Sequence, residues 1–331
     1  MRLLIGTAQG AFLANGADPT PALGLDGRNL RHLSRAGGAV LAGADSGLFR
    51  STDAGRTFAP SGLEGRFVWD VAQVGDALYA VTQPAELHVS RDGGRSWTEI
   101  EAFRRFPGAE RWCVPITPPL PGRARTMAID PVDPRRWWIG VEVGGVAVTS
   151  DAGARWSMSL PYGNPDPHVV VAHPGKPGVL FASTGLGRLD DREPMQQRIG
   201  GVFRSDDGGR SWQYTWKPSM PRYTRPMCID PRAPHAVTVG SGPTAFSSHR
   251  DPDGANAELY QTTDEGRTWQ RMGDPAHSPS RANLHVVAPD PETAGGVLVG
   301  TDTGEVWQVS PEAKWTLLAE GLPQVQAVMA L

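Results

Sequence analysis

Four polar residues in this sequence stand at one spacing. Arg125, His168, Arg225 and His285 each lie five residues before an Asp-Pro or His-Pro turn: Asp130-Pro131, His173-Pro174, Asp230-Pro231 and Asp290-Pro291. The residues between are short and mostly apolar, as in Met227-Cys-Ile229, so each segment reads as a strand opened by a polar residue. The same register falls near Gln326, near Arg31-His32 and near Trp69 in three further segments. Tyr223, Asn283, Arg123, Arg281 and Asp166 stand one or two steps outward, and Glu142 ends the strand that follows Arg125.

These residue types suit an anionic small molecule. A guanidinium binds carboxylate, phosphate or sulfate through two parallel hydrogen bonds, so Arg125 and Arg225 are candidate clamps. Arg31, Trp69, Arg281, Asn283 and Gln326 are candidate ligand contacts beside them. His168 and His285 are candidate acid/base groups, since imidazole titrates near pH 6.5. Glu142 and Tyr223 complete the catalytic candidates. Two other readings stay open. Polar residues that open strands can simply be solvated or pair with neighbouring strands. Alternatively, His168 and His285, with His249 or His32, have the donor type for a metal, although no ligand-spacing motif supports one. No metal is assigned and the cofactor is left unknown. His88, His173, His235 and His277 read as surface or turn residues.

A repeat must position these groups. Five segments share one pattern: Ser51-Thr-Asp-Ala-Gly-Arg-Thr-Phe58, Ser90-Arg-Asp-Gly-Gly-Arg-Ser-Trp97, Thr149-Ser-Asp-Ala-Gly-Ala-Arg-Trp156, Ser205-Asp-Asp-Gly-Gly-Arg-Ser-Trp212 and Thr262-Thr-Asp-Glu-Gly-Arg-Thr-Trp269. Such a turn lets the Asp carboxylate accept backbone N–H bonds, while Gly takes a positive φ without steric cost. The aspartates are therefore expected to be structural, and the closing Trp or Phe to pack between repeats. Two strands lie upstream of each turn, so each repeat has four strands, the unit of a propeller blade. A decayed turn ending at Trp315 marks another blade. The last is split between Gln324–Leu331 and Arg2–Gly6, whose pairing would close the ring and remove its open edges. The predicted fold is all-β: one seven-bladed β-propeller over residues 1–331, in four-stranded antiparallel blades.

The five segments resemble the Asp-box, S/T-x-D-x-G-x-x-W/F, of bacterial BNR-repeat proteins, often labelled exo-alpha-sialidase or glycosyl hydrolase-like. Sialidases, sortilin-type domains, xyloglucanases and the photosystem II assembly factor are similar in fold. The resemblance covers the scaffold over most of the chain and implies no single activity. Sialidases use an arginine triad, an acid/base Asp and a Tyr nucleophile paired with Glu. Arg125, Arg225, Tyr223 and Glu142 match part of that set, but their order does not follow the sialidase pattern. The Phe-Arg-Ile-Pro-like motif is missing, since Gln197-Arg-Ile-Gly200 is distant and lacks the proline. No catalytic role is carried over. A small-molecule site, with hydrolase or lyase chemistry as an extension, and a non-catalytic interaction or assembly scaffold are the two function classes.

Spacing between the Asp positions locates extra chain. The first two lie 39 residues apart and the next three intervals are 59, 56 and 57. The additions fall at 101–124, 185–201 and 241–258, all on the face where strand one begins. Long loops on one face suggest walls around a pocket. The net charge of −3 carries no basic run, and there is no transmembrane stretch, so neither nucleic acid nor membrane is an expected partner. Two isolated cysteines imply no disulfide framework. The N-terminal stretch reads as a strand and not as a signal peptide. A cytoplasmic monomer is the expectation.

Overall fold

A computed structural model describes residues 1–16, 18–187, 199–244 and 252–331. Seven four-stranded antiparallel sheets follow one another around a central channel. The innermost strands are Leu30–Ala36 in blade 2, Phe67–Val74 in blade 3, Arg123–Ile129 in blade 4, Pro167–Ala172 in blade 5, Tyr223–Ile229 in blade 6 and Leu284–Pro289 in blade 7. Blade 1 closes the ring as expected. Its inner strand Val325–Ala330 pairs with Leu3–Thr7, in the register Leu3 with Ala330 and Ile5 with Val328.

The Asp turns are built by their own side chains. In blade 5 the Asp207 carboxylate accepts the Ser211 N–H at 2.9 Å and the Ser205 and Ser211 hydroxyls at 2.9 and 2.6 Å. Gly209 follows at φ 90°, in the left-handed region that a side chain resists. The tryptophan that ends the turn then reaches the neighbouring blade. Trp212 Nε1 donates to Ser159 at 2.7 Å, and Trp269 Nε1 to the Thr215 carbonyl at 2.9 Å. The Asp-Pro turns also tie blades together. Asp130 accepts the Gly178 N–H of blade 5 at 3.0 Å, and Asp230 accepts the Gly295 N–H of blade 7 at 2.8 Å.

Apolar packing lies between blades. Tyr79, Trp137 and Ile139 form one such layer between blades 3 and 4. Here the insertion at 101–124 departs from expectation. Its buried Phe103 and Trp112, with ring centroids 5.2 Å apart, belong to that interblade core. Part of this segment is therefore core and only part is a loop over the mouth. It contains the helix Glu101–Arg104 and the short hairpin of Cys113–Val114 with Leu120–Pro121. Much of the other two insertions, residues 188–198 and 245–251, lies outside the described residues, as does His249.

Candidate functional site

Every inner strand is interrupted at the same place. Pairing with the second strand skips Arg31, Trp69, Arg125, His168, Arg225, His285 and Gln326, one residue per blade except in blade 6, where Pro226 is skipped as well. A bulge leaves its residue out of the ladder and re-aims the side chain. The seven residues line one channel of about 200 Å3. That is smaller than the roughly 300–1,000 Å3 of sites for drug-sized ligands. Close blade packing makes the constriction. A Cβ on Gly43 would stand 2.7 Å from the Val68 carbonyl oxygen, and one on Gly240 2.7 Å from Pro226. Gly43, on the second strand of blade 2, admits the inner strand of blade 3, and Gly240 leaves room for Pro226 of its own blade.

Positive charge gathers on one side of the channel. The guanidinium carbons of Arg31, Arg125 and Arg123 lie 5.2, 5.1 and 5.4 Å from the Trp69 ring centroid. Phe67 stacks behind that indole at 4.9 Å. A single carboxylate, Glu142, serves two of the cations: Arg123 Nη1 at 3.2 Å and Arg125 Nη1 at 3.3 Å. Burial pushes the Glu142 carboxyl up, but Arg125, His168, Arg123 and Arg225 outweigh it and hold it down at about 2. Arg31 and Arg225 form no ion pair among the described residues. Burial lowers the pKa of both, and their mutual repulsion with Arg125 and Arg123 adds to it. Because a guanidinium keeps its proton in proteins, these shifts express uncompensated positive charge. Arg31 Nε, Trp69 Nε1, Arg125 Nε and Gln326 Oε1 are buried without a hydrogen-bond partner among the described residues.

Next to Arg125, blade 5 contributes His168. His168 is 1% exposed and its Nδ1 lies 2.7 Å from the Thr224 carbonyl. Its Nε2 faces the Tyr223 hydroxyl at 3.4 Å and Asp166 Oδ1 at 3.6 Å. Burial pushes His168 below the ordinary imidazole value, opposed by Asp166, and burial raises the Tyr223 phenol. His285 is half-buried and bonds Gln324 at 3.0 Å. His32 pairs with Asp70 at 3.1 Å, and Asp70 also accepts the Met127 N–H of blade 4 at 2.8 Å.

Several expectations need correction. Arg281 is exposed, donates to the Pro252 carbonyl at 3.2 Å, and belongs to a separate cleft with His277, Trp307 and Trp315. The Asn283 N–H is taken by Asp302 at 2.8 Å, and Asn283 does not line the channel. Both precede their inner strand, where the repeat no longer fixes direction. Tyr223 and Glu142 stand just outside the channel lining and do not pair. The Tyr223 hydroxyl meets His168, while Arg123 and Arg125 hold Glu142. His88 is not a surface residue. It is 8% exposed and bonds buried Glu86 at 3.1 Å, with Arg66 on the same carboxylate at 2.6 Å. Arg66 and His88 edge a larger groove of about 820 Å3 along blades 2 and 3. Its buried charges are matched within the protein, which makes it a weaker ligand site than the channel. Asp166, two residues before His168, brings its Oδ1 to 3.6 Å from His168 Nε2.

No model of a known protein family matches the chain. A xyloglucanase of a Paenibacillus species is 25% identical over 254 residues, 76% of this chain and 21% of that enzyme. The chain thus spans about a fifth of the length of that relative. Among solved structures, an ancestral GH74 enzyme is similar with a TM-score of 0.61 and 15% identity, covering 92% of this chain and 37% of that one. The GH74 xyloglucanase of Xanthomonas campestris gives 0.58 and 18% identity, covering 85% and 43%. YCF48 bound to D1 peptide gives 0.56 and 14% identity, covering 90% and 86%. The fold is that of a seven-bladed propeller related to GH74 glycosidases and YCF48.

Proposed function

We propose that the central channel binds a small anion, carried as a phosphate, sulfate or carboxylate group, through Arg31, Arg125 and Arg225. One observation supports this most. Arg31 and Arg225 face the channel without an ion pair among the described residues, while Arg123 and Arg125 share Glu142. Uncompensated buried charge is costly, and an anion accepting guanidinium hydrogen bonds relieves it. Trp69 holds three guanidinium groups in place, so little ordering remains for binding.

A hydrolase or lyase reaction fits the same frame. His285 lines the channel and is the better-placed acid/base group. His168 is more deeply buried and held by Thr224. The kinship in fold to glycosidases supports hydrolysis as the reaction class. The reading takes the chain as a cytoplasmic monomer acting on a small molecule, without nucleic acid or membrane as partner. A non-catalytic scaffold is the second reading, favoured by one observation: the chain spans most of YCF48, a protein solved with a bound peptide.

Thermal melting of the purified chain in chloride, phosphate, sulfate and acetate at equal ionic strength tests the anion reading. A ligand at about 100 times its Kd adds about 2.7 kcal/mol, so phosphate or sulfate should raise the Tm above chloride. Equal melting in all four salts would contradict the reading and favour the scaffold.

A further inference from the structure

We propose that Glu142, Asp166 and His168 form a binding site for one divalent cation of the zinc or manganese type, beside the anion channel. One carboxylate oxygen from each acid and one imidazole nitrogen lie within 4.8 Å of one another. Metal bonds of about 2.0–2.2 Å put ligand atoms up to about 4.4 Å apart, so a small contraction completes the set. Two oxygens and one imidazole suit these cations.

The histidine is oriented as a ligand. Its Nδ1 faces the Thr224 carbonyl at 2.7 Å, which places the proton there and leaves the Nε2 lone pair toward Asp166. A second atom bonded to backbone carbonyl is the usual arrangement behind a metal-bound imidazole. Asp166 supplies the independent observation. Its side chain is 5% exposed, Oδ2 accepts the Gly187 N–H at 2.6 Å, and Oδ1 has no hydrogen-bond partner among the described residues. Oδ1 and Nε2 therefore face each other at 3.6 Å as two acceptors. Among the described residues the Tyr223 hydroxyl is the one donor that bonds Nε2, at a long 3.4 Å. A bridging cation turns this repulsion into two bonds.

Arg125 and Arg123 on Glu142 oppose a second positive charge there. The cation should therefore bind more tightly when an anion occupies the channel. This coupling rests on the anion reading; the ligand set does not. By linkage the cation must tighten the anion by the same factor.

Calorimetric titration of the full chain, stripped with chelator, with MnCl2 and ZnCl2 tests the site. The wild type should bind one cation and Asp166→Asn should lose it. His168→Gln, which keeps a donor for Thr224, is the second variant should Asp166→Asn fail to melt cooperatively. Undiminished binding in a folded variant, or no binding in the wild type, overturns the site. Repeating the Mn2+ titration in sulfate should raise the affinity; an unchanged or lower affinity overturns the shared placement. Sulfate titrated without metal reports the anion reading separately. Sulfate binding without any Mn2+ or Zn2+ site sinks this inference alone, whereas a metal site without sulfate binding sinks the anion reading alone.

Discussion

Arg125 of blade 4 lies over the indole of Trp69 of blade 3, its guanidinium carbon 5.1 Å from the ring centroid, and both are the bulged residue of their inner strand. The contact joins scaffold to chemistry. The bulge turns each side chain into the channel, and the aromatic face then holds the cation against repulsion from Arg31 and Arg225. Trp69→Phe should keep the stack and the melting temperature within a few degrees. Trp69→Ala should cost about 3–5 kcal/mol, as for a buried aromatic. Denaturant unfolding of the two variants checks this, and equal loss in both would show that packing size, not the aromatic face, matters at Trp69.

Glu142 is the only carboxylate within ion-pair distance of Arg123 and Arg125 among the described residues. Glu142→Gln should destabilise by about 1–3 kcal/mol, because it leaves those cations unpaired. Phosphate should recover more stability in this variant than in the wild type. Melting with and without phosphate decides; a smaller phosphate effect in the variant would place the anion elsewhere.

The same carboxylate sets a pH dependence. Its folded value, about 2, lies below the ordinary value of about 4.3. A depressed carboxyl contributes stability that is present above its unfolded pKa and lost as pH falls through the folded one. The gap between wild type and Glu142→Gln should therefore be constant above about pH 5 and shrink toward pH 2. Asp207 is likewise held at about 2, so Asp207→Ala should show the same trend. Urea unfolding across pH 2–7, on the order of one unit per step, reads both; gaps that widen in acid would reverse the sign.

The register of the channel was legible because the repeat leaves it no freedom. A strand of constant length before the Asp-Pro or His-Pro turn puts the fifth residue back at one height in blades 4 to 7, and the structure finds Arg125, His168, Arg225 and His285 there, beside Arg31, Trp69 and Gln326 of the other three blades. The bulge itself has no sequence marker, although it is what makes these residues point inward. Arg281 and Asn283 were misplaced because they precede the strand, where local loop contacts set direction. The burial of part of 101–124 was readable from Phe103 and Trp112, two large aromatics in a segment expected to overhang the mouth. The Asp166–His168 approach needed coordinates, since Asp166 reaches it through the Gly187 N–H contact.

Asp207→Ala should cost about 1 kcal/mol through its turn bonds and leave anion binding unchanged, because Asp207 does not line the channel. Lost binding at unchanged melting temperature would make that face functional.

Removing residues 324–331 should abolish cooperative folding. It deletes the inner strand of blade 1 and with it Gln326, and opens the edge of Leu3–Thr7. Circular dichroism melting tests this; a sharp wild-type transition in the truncated chain would show that ring closure is dispensable.

The arginines of the channel are proposed to hold an anion. Isothermal titration of phosphate into the wild type and into Arg125→Ala/Arg225→Ala tests it most directly. The wild type should bind one phosphate per chain saturably and the double variant none, with both folded by circular dichroism. Equal phosphate affinity in the two proteins would contradict it.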